Sequence, residues 1–198
     1  VDPRHPIINK IIKKGIPFHN DISLFFLNNI LEGTKVIGVT GTNGKTTVCS
    51  IIEQIAIESG LKAKAVGNIG VPILDIDLID TLDVLIIELS SFQLEVLNNG
   101  IIDVGVILNI SDDHMDRYNS FKKYFQAKEK LFSLSKINII NRDDEKLSEL
   151  SYKADLSFGI SEPNSKKDYI LKSDHSVSYI GKENDFDIEL KNLKLIGE

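Results

Sequence analysis

Val36-Ile37-Gly38-Val39-Thr40-Gly41-Thr42-Asn43-Gly44-Lys45-Thr46-Thr47 is the stretch from which the fold of this chain can be read. The β-branched run Val36, Ile37, Val39 and Thr40 predicts a buried strand. It breaks into a turn, Gly41 to Gly44, and a helix is expected to open at Lys45. Glycines let such a turn curl until several backbone N–H groups point at one spot. The helix behind it adds unsatisfied N–H groups and the positive end of its dipole. Lys45 then supplies a point charge for phosphate, and the Thr46 hydroxyl stands where it can ligate Mg²⁺. A strict P-loop would carry glycine where Val39 stands, so the motif is the shorter Gly-Thr-Asn-Gly-Lys-Thr form. Its strand–turn–helix context marks residues 41–47 as a nucleotide-phosphate site.

Downstream, Val48, Ile51, Ile52, Ile55 and Ala56 recur with the period of one helix face packed on a sheet, and Gly60 ends that helix. A short strand is expected over residues 63–66. Gly67-Asn68-Ile69-Gly70-Val71-Pro72 then forms a tight loop exposing the Asn68 amide. Val84-Leu85-Ile86-Ile87 has the unbroken apolar character of a strand buried on both faces, and it ends in Glu88. A helix starting in Leu89–Glu95 is expected to close at Gly100. Residues 104–110 form the next strand, with Asn109 at its end and Asp112, Asp113, His114 and Asp116 in the loop beyond.

From Asn119 to about Ser133 the apolar residues Phe121, Tyr124, Phe125, Leu131 and Phe132 predict a helix. Lys128 lies seven residues after Phe121 and so shares the inward face, where a lysine requires a partner or a reason. After a strand at 137–140, residues 155–196 alternate between turn signals and suggest short antiparallel strands, among them a hairpin of 169–171 with 177–180. Upstream, Ile7, Ile8, Ile11 and Ile12 predict a short helix ending at Gly15, and residues 21–29 another. His5 and His19 have no ligand partner at metal spacing, and His175 belongs to the turn of the hairpin; none receives a role.

The 198 residues, 42% hydrophobic, fit one ordinary domain plus a remnant. A net charge of −6 gives no reason to expect a nucleic-acid partner. Cys49 is the single cysteine, so no internal disulfide forms and a reducing compartment is expected. With neither a membrane-length apolar run nor a signal-peptide pattern, the expected location is cytoplasmic. The start at Val1 and the stop after an apolar alternation at 193–198 read as a piece of something longer.

Alternating strands and helices predict an α/β fold: a P-loop-type, doubly wound, mostly parallel sheet, with a small antiparallel β extension at the C-terminal end. Ligands gather at the carboxyl ends of such strands. Lys45 and Thr46, Glu88, and the 109–114 segment each follow a different strand, so all are expected at one edge. There Glu88 offers Mg²⁺ a hard oxygen, while His114 is a less usual ligand that needs oxygen neighbours.

Four segments carry a resemblance: Gly-Thr-Asn-Gly-Lys-Thr-Thr (41–47), Gly-Asn-Ile-Gly-Val-Pro (67–72), Glu-Leu-Ser-Ser-Phe-Gln-Leu-Glu (88–95) and Asn-Ile-Ser-Asp-Asp-His-Met-Asp-Arg-Tyr (109–118). Together with Tyr124-Phe-Gln-Ala-Lys128, they resemble the Mur ligases, and most of all the branch that adds D-glutamate. The resemblance implies residues 1–33 as the tail of a UDP-sugar-binding domain with its linker, and 34–198 as the central ATPase domain. It also implies a further domain and a His-Asn-x-x-Asn adenine contact beyond Glu198, so that the piece alone is inactive.

The reaction implied uses ATP and Mg²⁺ to join D-glutamate to UDP-N-acetylmuramoyl-L-alanine through an acyl phosphate, with neither nucleic acid nor membrane and in a monomer. By the same resemblance the nucleotide is held by Gly41, Thr42, Asn43, Gly44, Lys45, Thr46 and Thr47. Lys45, Glu88, His114 and Lys128 are catalytic. The metal falls to Thr46, Glu88, His114 and Lys128, the last matching a lysine that is carbamylated. Asn68, Ser90 and Gln93 match positions lining the muramoyl site. Two alternatives stand: a sister ligase with another acceptor, muramoyl or folate, and a nucleotide-binding module without catalysis. The folate-type turn usually reads Gly-Lys-Gly-Ser where this chain has Gly-Lys-Thr-Thr.

Overall fold

The computed structural model describes residues 5–28, 31, 33–68, 70–76, 81–113, 117–162, 168–171, 176–180 and 186–189. Two short helices, α1 (Pro6–Lys13) and α2 (Asp21–Asn28), precede β1 (Lys35–Thr40). The chain continues through α3 (Lys45–Glu58), β2 (Ala63–Gly67), β3 (Val84–Glu88), α4 (Ser91–Val96), β4 (Ile102–Ile107) and α5 (Phe121–Leu134). It ends with β5 (Ser135–Asn141), β6 (Leu156–Gly159), β7 (Asp168–Leu171), β8 (Ser176–Ile180) and β9 (Phe186–Glu189). The strands form one sheet in the order β2-β3-β1-β4-β5-β6-β7-β8-β9. Pairing is parallel from β2 to β7 and antiparallel from β7 to β9.

Period-two alternation divides the core between the faces of this sheet. Leu85 and Ile87 point toward α2, α4 and α5 and pack with Ile22, Phe25, Leu94, Tyr124 and Leu131. Ile86 points the other way, with Val39 and Ala65, against Cys49 and Ala56 of α3. All three residues of β3 are fully buried, and each such aliphatic side chain contributes about 1.5–3 kcal/mol.

The placement of α5 depends on two glycines facing each other across β1 and β4, Gly38 and Gly105. A Cβ at Gly38 would meet Leu131, Ile102 and Leu89 side-chain carbons at 3.1–3.2 Å, and one at Gly105 would collide with Ser135 and crowd Leu131. Because neither exists, Leu131 of α5 settles directly on the strands. Lys128, three residues earlier on the same face, is thereby carried to the carboxyl edge of β1.

Four departures from the sequence expectation have physical reasons. First, β6 and β7 are parallel, not antiparallel; only β8 and β9 run the other way. Alternating apolar residues suit either pairing. The 3₁₀ turn Leu147–Lys153, which buries Leu147 and Leu150, supplies the crossover between β5 and β6. Second, α4 closes at Val96 rather than Gly100, because Leu97 is extended (φ −70°, ψ 103°) and turns fully into the core. Third, Ile55 of α3 is half exposed: β2 is the sheet edge, and the outer flank of α3 has no strand beneath it. Fourth, the strand expected at 104–110 lies at Ile102–Ile107, and Leu108–Ile110 already belongs to the turn toward the phosphate loop. The hairpin expected between 169–171 and 177–180 is present as β7 and β8, with Leu171 opposite Val177.

At the amino ends of the parallel strands, four aspartates stitch neighbours together. Each accepts a backbone N–H from the next strand: Asp83 from Lys62 (2.8 Å), Asp103 from Val36, Asp155 from Asn138 and Asp168 from Ser157 (each 2.9 Å). Glu53 of α3 likewise accepts the Ala65 N–H on the outer edge of β2. Edge strands are shielded from unwanted pairing in this way. No helix among the described residues is long and apolar enough to cross a membrane.

Candidate active site

At the opposite edge, β1 delivers the chain to the glycine turn. The Thr40 hydroxyl, fully buried, donates to the Leu89 carbonyl (2.8 Å) and ties the end of β1 to the segment after β3. Gly44 then takes φ 79°, a left-handed conformation that glycine adopts without strain, and α3 starts at Lys45. Gly44 at the N-cap has no side chain to cap this helix, so among the described residues the N–H groups of its first turn remain for an anion.

The earlier N–H groups of the turn are taken up by the loop after β4. Thr42 N donates to Asn109 O (3.0 Å) and Asn43 N to Asn109 Oδ1 (2.9 Å), while Asn109 Nδ2 donates to Asn43 O (3.0 Å). Thr42 Oγ1 accepts from Ser111 N (3.0 Å) and lies 3.0 Å from the hydroxyl of buried Tyr124.

Two lysines converge on this turn. Lys45 Nζ donates to Gly41 O (2.9 Å) and Thr42 O (2.8 Å), and Lys128 Nζ donates to the same Gly41 O (2.7 Å). Lys128 is 2% exposed. Burial, reinforced by the charge of Lys45 and opposed by Asp113, pushes its pKa down to about 7 from 10.5. A substantial fraction is therefore neutral amine at neutral pH.

Glu88 ends β3 beside the turn with 1% exposure. Its Oε2 accepts from Thr46 Oγ1 (2.8 Å) and its Oε1 from Asn68 Nδ2 (3.1 Å), while Asn68 N donates to the Glu88 carbonyl (3.2 Å). Among the described residues no lysine or arginine pairs with this carboxylate. Burial, then the charge of Glu88, raises the Cys49 thiol to about 12, so it stays a protonated packing group.

The donor set fits Mg²⁺: a hydroxyl and a carboxylate, both hard oxygens, stand together beside a row of free N–H groups. Among the described residues no three His, Cys, Asp or Glu side chains cluster as a metal cage. Mg²⁺ needs none, since it binds through one or two protein oxygens plus water and phosphate. His114 lies outside the described residues.

Of the residues read from sequence, Gly41, Thr42, Asn43, Gly44, Lys45, Thr46, Thr47, Asn68, Glu88 and Lys128 gather at this edge. Ser90 and Gln93 are instead engaged in a capping box at the start of α4. There Ser90 Oγ accepts the Gln93 N–H (3.2 Å) and Gln93 Oε1 accepts the Ser90 N–H (3.0 Å). Gln93 also reaches Asp21 at 3.4 Å, and its carbonyl accepts from Asn20 (2.9 Å), which fastens α4 to α2. Sequence reasoning gave no role to Asn109 or Tyr124. The position of Asn109 at a strand end was the available signal.

The sequence model of the Mur ligase middle domain matches residues 39–198. The chain is 36% identical over 179 residues to the UDP-N-acetylmuramoylalanine–D-glutamate ligase of Methylobacillus flagellatus, covering 89% of this chain and 39% of that protein. It is 41% identical over 195 residues to the ligase of the same name from Buchnera aphidicola subsp. Acyrthosiphon pisum, covering 96% and 41%. The chain thus spans about two-fifths of the length of these curated relatives.

The fold is similar to that of the UDP-N-acetylmuramate:L-alanyl-gamma-D-glutamyl-meso-diaminopimelate ligase from Neisseria meningitides (TM-score 0.61, 16% identity, 96% of this chain and 66% of that one). It is also similar to MurF ligase from Thermotoga maritima in complex with ADP (TM-score 0.56, 21% identity, 79% and 40%). With its phosphate turn, buried glutamate and inward lysine inside the matched region, the chain belongs to the Mur ligase family.

Proposed function

We propose that the protein containing this chain is an ATP-dependent amide ligase that joins D-glutamate to UDP-N-acetylmuramoyl-L-alanine, and that this chain contributes the nucleotide site. The observation that carries the reading is the meeting of an uncapped helix N-terminus, Lys45, and the Thr46–Glu88 oxygen pair 2.8 Å apart at one sheet edge. Residues 1–33 are read as the end of a preceding domain and 34–198 as the ATPase domain. The acceptor is supported by the names of the relatives at 36% and 41% identity.

In this reading the first-turn N–H groups of α3 and the Lys45 ammonium hold the β- and γ-phosphates. To reach them, Lys45 exchanges Gly41 O and Thr42 O for phosphate oxygens. Thr46, Glu88 and His114 would hold Mg²⁺, which would supply charge neutralisation to the phosphates; the γ-phosphoryl group passes to the substrate carboxylate and ADP leaves. The amine of D-glutamate then attacks the acyl phosphate carbon, phosphate leaves with the C–O electron pair, and the ammonium proton is lost to water. Lys128, substantially neutral, has the free amine that carbamylation by CO₂ requires, and the resulting anion would add to the metal site. Asn68 orients Glu88, and Asn68, Ser90 and Gln93 lie on the approach of the muramoyl substrate.

The test is phosphate release by the complete protein with ATP, Mg²⁺ and UDP-N-acetylmuramoyl-L-alanine. Release dependent on D-glutamate supports the reading. Release with a different amino acid keeps the ligase and overturns the acceptor, and no release from a folded protein overturns both.

A further inference from the structure

Asn109 commits an unusual share of its hydrogen-bonding capacity to the phosphate turn. Its backbone carbonyl takes the Thr42 N–H, its side-chain oxygen takes the Asn43 N–H and its side-chain nitrogen donates to the Asn43 carbonyl, all within 3.0 Å. The anchor is itself held from the far side. The N–H of the next residue, Ile110, donates to Asp144 Oδ2 (2.9 Å), and Asp144 Oδ1 caps the 3₁₀ turn through the Lys146 and Leu147 N–H groups (3.0 and 3.1 Å). Ser111 and Tyr124 complete the grip through Thr42 Oγ1.

Two consequences follow. The N–H groups of Thr42 and Asn43 are consumed, so an anion is met only by those from Gly44 onward, at the mouth of α3. The turn is also held by protein bonds alone, so binding does not have to order it.

We propose that Asn109 is a positioning residue for nucleotide binding, latching the turn after β1 to the loop after β4 and setting which N–H groups face the phosphates. The proposal rests on the ATP site argued above. Its first readout, however, needs no nucleotide. In the complete, ligand-free protein, Asn109→Ala should speed amide hydrogen exchange at Asn43 by about tenfold, as expected for opening one local contact. Exchange at Ala65, in β2, should not change. In steady-state kinetics the same variant should raise KM for ATP by about tenfold, the cost of ordering a loosened loop on binding. kcat at saturating ATP should stay within about twofold, because the groups at the reacting phosphate are intact.

Unchanged exchange at Asn43 together with unchanged KM overturns the proposal. So does a fall in kcat at unchanged KM, which would put Asn109 in the chemical step. If Asn109→Ala does not fold, Asn109→Asp is the substitute. It keeps the acceptor for Asn43 N–H but sets an oxygen against Asn43 O, so it should raise KM at least as much, and an unchanged KM overturns the latch. A wild-type protein that fails to bind ATP refutes the nucleotide reading and leaves the exchange result to judge the latch on its own.

Discussion

The two ends of the parallel strands handle charge in opposite ways. At the amino ends, Asp83, Asp103, Asp155 and Asp168 each accept a backbone N–H of the neighbouring strand, and Asp103 also meets Lys136 and Lys35 at 2.9 and 3.9 Å. These charges are consumed by the fold. At the carboxyl ends, Glu88 is almost fully buried, and among the described residues its carboxylate meets a hydroxyl and an amide. Lys45 and Lys128 share one neutral carbonyl oxygen. Among the described residues neither lysine forms an ion pair with Glu88, although Lys146 meets Asp112 at 3.6 Å in the loops after β5 and β4. Burying charge is costly unless a partner offsets it, and it is at this edge that we propose the nucleotide and its metal supply the partners.

The contrast can be broken most directly at Lys45. In the complete protein Lys45→Ala should lower ATP-dependent phosphate release by about a hundred- to a thousandfold, the scale for removing a preorganised charge from a transition state. Its melting temperature should hardly move, since the half-buried side chain only donates to loop carbonyls. A large loss of stability with activity intact would mean that this edge, too, serves the fold. Glu88→Gln should act in the same direction by about a hundredfold, and raising Mg²⁺ should recover part of the loss. Activity indifferent to Mg²⁺ in both proteins would remove the metal reading.

Packing links the two edges through the glycine pair. Gly105→Ala should cost about 1–3 kcal/mol by overpacking against Ser135 and Leu131. It should also reduce activity by lifting α5, and Lys128 with it, away from Gly41. Denaturant titration and phosphate release measured on the same variant would show whether the two losses travel together.

Lys128 offers a signed pH test. Its folded pKa is about 7 against 10.5 unfolded. Below pH 7 both states are protonated and the buried ammonium destabilises the fold in full. Between pH 7 and 10.5 the unfolded state binds more protons, so stability attributable to this group rises with pH. In bicarbonate-free buffer, Lys128→Met should therefore gain melting temperature over wild type at pH 6 and lose that advantage by pH 9. A difference independent of pH would show that Lys128 is not buried as a charge.

The smallest effect is expected at the amino edge. Burial alone would raise the Asp103 pKa, but the Val36 N–H and the two lysines outweigh it and hold it below 3.8. Its stabilisation is present above pH 3.8 and is lost as acid titrates it. Asp103→Asn should cost about 1 kcal/mol at neutral pH, flatten the acid limb of the stability curve, and leave KM for ATP unchanged. A raised KM would mean that this edge is coupled to the site.

Much of this was legible from residues alone. Strand–turn–helix chemistry is local: β-branching, the glycines of the turn and the placement of Lys45 and Thr46 need no tertiary context to be read. The inward aim of Lys128 followed from helical period. Residues 155–171 were misread as antiparallel because alternation reports a half-buried face and not the direction of the neighbour. The α3 stripe was drawn too wide because sequence does not say where a sheet ends. Ser90 and Gln93 stand three apart, as a capping box requires, and only the tertiary fold joins Gln93 to α2.

By itself, then, the sequence determined the parallel α/β class, the glycine turn between β1 and α3 and the meeting of Lys45, Thr46, Glu88 and Asn109 at one edge, because these depend on backbone propensity and on spacings within a few residues. Tertiary structure alone decided that Glu88 meets Thr46, that two lysines meet one carbonyl, and that Asn109 clasps a turn 66 residues away. Those contacts are set by how closely helices approach strands, and that distance depends on side chains, such as the missing Cβ atoms of Gly38 and Gly105, far from the groups that finally touch.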